Sequence, residues 1–144
     1  MVKMARFLFA VLAEHQEQEI LRMVFCVLVR GCLESIADPT LQELLFEKRH
    51  MDMVLVYVEA SLDKPPGPIV GDVLEAGFVY FRFMLTHLMS AGRSDLLRTW
   101  SPLMATLTIR ACEEHGASFR ALATPVQVFS CFGDLGGNFL DRWT

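Results

Sequence analysis

Between Glu75 and Arg93 the chain carries one formal charge, Arg82. Phe78, Val79, Phe81, Phe83, Met84, Leu85, Leu88 and Met89 leave little polar circumference on a helix drawn through Phe78–Ala91. A helix apolar on nearly every side is buried at the centre of a protein or spans a membrane. Counting residues excludes the second option. The longest stretch without Asp, Glu, Lys or Arg is Ala121–Gly133, 13 residues with Pro125 inside it, against the roughly 18–20 a spanning helix needs. The other apolar run, Phe7–Ala13 behind Lys3, meets Glu14, His15, Glu17 and Glu19 and no small-residue cleavage pattern, so it is not a signal peptide. The apolar share is nevertheless 53% of 144 residues, above the roughly 45–50% of soluble domains. The surplus has to go into a core, a partner, or both.

A chain of this length makes one domain, taken as residues 1–144. Its pattern is helical throughout, and the expected class is all-α. Val2–Ala13 carries Phe7, Leu8, Val11 and Leu12 at helical spacing. A second helix is expected from Gln16 to Ala37, with Ile20, Met23, Val24, Val27, Leu28 and Cys32 as a wide apolar stripe. Asp38-Pro39 reads as an N-cap followed by a first-turn proline, opening a helix that runs to Ala60. Met51–Val58 is β-branched enough for a strand, but no second run pairs with it. Pro65, Pro66, Gly67 and Pro68 mark a loop over Ser61–Pro68. A short helix Ile69–Glu75 is then expected, ended or kinked at Gly77, before the central helix Phe78–Ala91 and a break at Gly92. Ser101-Pro102 reads as the start of a helix to Glu114, stopped by Gly116, and two short helices over Ser118–Phe132 and Asn138–Trp143 finish the chain.

Chemistry is sparse. The net charge is −4 and the basic residues are scattered, with only Lys48-Arg49 adjacent, which argues against a nucleic-acid face. Gly67 and Gly71 lack the Lys-Ser or Lys-Thr of a phosphate loop. His15, His50, His87 and His115 are far apart, and Cys26, Cys32, Cys112 and Cys131 show no metal-ligand spacing. No metal, no cofactor and no enzymatic activity are expected, and the setting is read as reducing. Arg82 is the conspicuous charge. An unpaired buried guanidinium is costly. It therefore meets an internal carboxylate, with Asp72, Glu75 or Asp38 as candidates, or it opens onto a groove where a ligand supplies one.

The run Val73-Leu-Glu-Ala-Gly77-Phe-Val-Tyr80-Phe-Arg82-Phe-Met-Leu85 resembles the BH1 region of the Bcl-2 family. Gly77 falls on the first glycine of that motif, Tyr80 on its tryptophan and Arg82 on its arginine. Val79 stands in place of an asparagine. Phe81 stands in place of the glycine that lets a ligand helix approach, which narrows the groove. Upstream, Leu33, Ala37 and Asp38 follow the BH3 spacing Leu-x-x-x-Gly/Ala-Asp, and downstream Gly136-Gly137 with Phe139 resembles BH2 without its tryptophan.

The resemblance implies a Bcl-2-like helical bundle around a central apolar helix, with a surface groove that binds BH3 helices of pro-apoptotic proteins of the Bim, Bak and Bax kind. Arg82 would receive the BH3 aspartate, and Leu44, Leu45, Met51, Ile69, Val73, Gly77, Phe78 and Phe81 would line the trough. Helix-in-groove recognition needs such a trough and one charge to set the register, which a forked guanidinium supplies. Met51, Met53 and Met84 suit either a trough that reshapes or an ordinary core. The compact build, with neither a long loop after the first helix nor a C-terminal anchor, implies a virus-encoded homologue of the kind a large DNA virus carries. Such a protein would be an anti-apoptotic factor in the host cytoplasm, peripheral at mitochondria. The alternative is a Bcl-2-fold viral scaffold that blocks innate immune signalling through protein–protein contacts. An empty trough exceeds what monomers usually expose, so a homodimer covering part of it is expected.

Overall fold

A computed structural model describes residues 2–15, 17–32 and 37–115. They form α1 (Val2–Glu14), α2 (Gln18–Val27), a π-helical turn (Leu28–Cys32), α3 (Pro39–Leu45), α4 (Lys48–Leu62), α5 (Pro68–Ser90) and α6 (Ser94–His115). The class is all-α, and Met51–Val58 is helix. α5 packs against α2, α4 and α6, while α1 lies across α2, α3 and α4. The two helices expected after Gly116 and the match at Gly136, Gly137 and Phe139 lie outside the described residues, as do residues 33–36 of the BH3-like run.

The central helix is longer than its sequence pattern predicts. Gly67 caps it in extended backbone, Pro68 takes the first position, and it continues without interruption for 23 residues. Gly77 therefore neither ends nor kinks it. The glycine is buried, and a Cβ built on it would lie 2.8 Å from Val58 Cγ2 on α4. Its missing side chain lets α4 and α5 approach, which offsets the roughly 1 kcal/mol that glycine costs inside a helix. The end is the expected one. Gly92 adopts φ 68°, Gly92 N–H donates to Met89 O at 3.1 Å and Arg93 N–H to Leu88 O at 3.0 Å. This Schellman arrangement satisfies the last carbonyls of α5.

Two other boundaries differ for tertiary reasons. The helix expected over Pro39–Ala60 is two helices, broken at Phe46-Glu47. Breaking it frees carbonyls at the end of α3, and His50 Nδ1–H takes that of Leu44 at 2.6 Å. The imidazole is fixed by stacking on Phe9, centroids 4.1 Å apart and 10° from parallel. α6 begins at Ser94 rather than Ser101 and runs through Pro102. An internal proline costs about 3 kcal/mol. Burial of Trp100, Met104, Ala105 and Leu107 on the same helix holds it together, and the Ser101 hydroxyl donates to Leu97 O beside the break.

The start of α3 is as the sequence predicts. Asp38 Oδ1 accepts from Thr40 N–H at 2.9 Å, with Pro39 at the first helical position. Asp38→Ala is expected to lower stability by about 1 kcal/mol, read as a lower urea midpoint with unchanged slope. Asp38→Asn, which keeps the acceptor, should lose less than half as much.

Candidate functional site

Burial divides the circumference of α5. Val73, Gly77, Phe78, Phe81, Met84 and Leu85 are inside. Asp72, Glu75, Val79, Arg82 and Phe83 are half-buried and Thr86 is exposed. With Arg82 and Phe83 side by side at one level, these positions recur every three or four residues, so they form one stripe on the helix surface. Arg82 stands at its edge, one turn along from buried Phe78. Its guanidinium carbon lies 5.8 Å from the centroid of the Phe83 ring, within cation–π range. Phe83 in turn stacks on His87 at 6.4 Å, 9° from parallel, and burial lowers the His87 pKa below its ordinary value.

Beside the N-terminal half of this stripe is a hollow of about 330 Å³ lined by Cys26, Val29, Arg30, Asp72, Glu75, Ala76 and Val79. The π-helical turn forms its outer wall. Such turns insert a residue into a helix and are frequent at functional sites. Arg22 of α2 lies 3.8 Å from Asp72, a half-exposed pair worth at most about 1 kcal/mol. Of the three carboxylates considered for Arg82, Asp72 thus faces Arg22, Asp38 caps α3, and Glu75 shares the stripe with the arginine.

The expected trough is placed differently from its prediction. Leu45, Met51, Val73, Phe78 and Phe81 have no exposed surface, Leu44 is 4% exposed, and Gly77 is buried against Val58. They are brought together as interior packing, and Met84 lies with them while Met53 is only part-buried. Ile69 alone among the apolar set keeps part of its surface. An apolar side chain at helical spacing serves a core as well as a groove, and here the chain's own helices cover these residues. The residues that sequence reasoning missed are Cys26, Val29, Arg30 and Val79. The three- and four-residue spacing of Asp72, Glu75, Arg82 and Thr86 is the signal that would have found the stripe. Nothing local in the sequence announces the π-helical turn.

Among the described residues no three or more His, Cys, Asp or Glu gather as a metal site, and no helix is long and apolar enough to cross a membrane. No family model, curated protein or solved structure matches the chain.

Proposed function

We propose that this chain is a non-enzymatic interaction module that sequesters BH3 helices of pro-apoptotic Bcl-2 proteins and so inhibits apoptosis. The observation that supports it is the position of Arg82, the one formally charged residue of α5 beyond Glu75, at the edge of the part-exposed stripe of the central helix. An amphipathic helix laid along α2 and α5 would set apolar side chains against Val29, Ala76 and Val79 and present its aspartate to the guanidinium. The charge-assisted, bidentate pairing that arginine offers a carboxylate would fix the register. The order of the BH3-like and BH1-like runs in the sequence argues for the same class of ligand.

The test is a titration of labelled BH3 peptides followed by fluorescence anisotropy. Micromolar or tighter binding is expected. Arg82→Glu should weaken it more than about 30-fold, the effect of removing one partner of a buried charged pair, roughly 2 kcal/mol or more. Absence of binding by every peptide would sink the reading. An affinity indifferent to Arg82→Glu would remove the arginine from it.

A second reading, the scaffold that blocks innate signalling, is favoured by the burial of the expected trough. With Phe78 and Phe81 inside, contacts with partners would be made through outer faces. It is expected to bind no BH3 peptide.

A further inference from the structure

Two exposed apolar features lie away from Arg82. One is a groove between α4 and α6, a hollow of about 470 Å³ lined by Asp52, Leu55, Val56, Glu59, Leu103, Thr106, Leu107 and Arg110. Leu55 and Leu107 are buried in its floor, while Val56 and Leu103 keep 58% and 50% of their surface. Its α4 rim is acidic, since Asp52 and Glu59 stand one turn before and one turn after Val56. Asp52 is 3.5 Å from Lys48; Glu59 has no ion-pair partner among the described residues. The one cation, Arg110, is already engaged, 2.5 Å from Asp63 and 2.9 Å from Glu114.

The other feature is a knob on the outer face of α1. Phe7 is 66% exposed and Met4 39%. Lys3 lies one turn before Phe7 and Arg6 next to it, both exposed and without an ion-pair partner among the described residues. An aromatic side chain flanked by two unengaged cations thus stands on the same molecule as an apolar groove with an acidic rim. α1 and α6 both pack on α4, so knob and groove border one helix, and α1 cannot enter the groove of its own chain without leaving its place in the bundle.

We propose that the α4–α6 groove is the docking site for α1 of a second copy of this chain. Phe7 enters between Val56 and Leu103, and Lys3 and Arg6 face Asp52 and Glu59. The complementarity of charge selects this occupant, because every copy supplies both halves. Reciprocal exchange of α1 faces between two copies closes a two-fold, isologous dimer, whereas a one-way contact is heterologous and extends into chains or rings. The proposal is independent of the BH3 reading.

Sedimentation equilibrium tests it. The wild type should show a mass rising above the 16.3 kDa monomer between micromolar and near-millimolar concentration. Phe7→Glu and Leu103→Glu change exposed positions and should retain the helical circular dichroism of the parent. Each should weaken self-association more than about tenfold, as loss of a central anchor does. Mixed together, the two should form a one-to-one complex, since one keeps its groove and the other its knob. Glu59→Lys should weaken association, and adding Lys3→Glu and Arg6→Glu to it should restore part of the loss. A wild type that keeps the 16.3 kDa monomer mass at all concentrations would overturn the proposal and leave the groove to another partner. So would a Leu103→Glu variant that associates like its parent, or a mixture of the two variants that stays monomeric.

Discussion

Phe81→Ala is expected to lower the free energy of unfolding by about 3–5 kcal/mol, the range for deleting a fully buried phenylalanine. Phe81 has no exposed surface and its ring lies 5.9 Å from that of Phe78, tilted by 55°. Both rings belong to the interior between α5 and its neighbours, where a cavity relaxes only partly. Total stabilities run to about 5–15 kcal/mol, so one truncation removes a large fraction of the whole. The measurement is a urea titration followed by far-ultraviolet circular dichroism, with Val79→Ala alongside. Val79 is only half-buried at the hollow, and its truncation should cost less than about 1 kcal/mol, as surface changes do. The pair separates two pictures of α5. If Phe81 lined an accessible trough for a ligand, its truncation would barely move the urea midpoint while weakening peptide binding. A Phe81→Ala midpoint equal to that of the wild type would therefore remove Phe81 from the core.

The class of fold was legible because it rests on periodicity, which survives in a single sequence. The all-round apolar run Phe78–Ala91 does lie in the helix that packs against three others, and Asp38-Pro39 and Gly92 do mark boundaries, since capping and positive φ are local chemistry. What failed was non-local. Pro102 reads as a helix start because the local rule knows nothing of the Trp100 and Met104 burial that carries the helix through it. Nothing at Phe46-Glu47 announces a break, whose partner groups are His50 and, from α1, Phe9. The site divides in the same way. Arg82 was conspicuous as a lone charge in an apolar helix, and its charge stands at the edge of a part-exposed stripe. Which apolar neighbours face solvent depends on the angles at which α2, α4 and α6 cover α5. The expected set Val73, Phe78 and Phe81 consequently fell on the covered side, and the hollow at Cys26, Val29 and Val79 went unseen.

Gly77→Ala carries a sign that separates a packing role from a ligand-binding one. In an isolated helix the change stabilises by about 1 kcal/mol, because glycine has more backbone freedom to lose. Here the new methyl would stand 2.8 Å from Val58 Cγ2, and Val58 has no room to yield. It is fully buried, and a β-branched side chain in a helix has one strongly preferred rotamer. Overpacking costs about 1–3 kcal/mol, which exceeds the gain over most of that range, so the expected net effect is a loss of up to about 2 kcal/mol. Gly77→Leu should prevent the α4–α5 contact from forming. The cycle with Val58→Ala isolates the cause, since that truncation removes the two methyls against which the alanine would clash. Gly77→Ala should then be tolerated or stabilising in the Val58→Ala background, a coupling of roughly 1–3 kcal/mol between the two sites. A glycine kept small for an incoming BH3 helix would behave oppositely. Its replacement by alanine would raise the urea midpoint of the free protein, leave no coupling to Val58, and reduce only the affinity for the peptide.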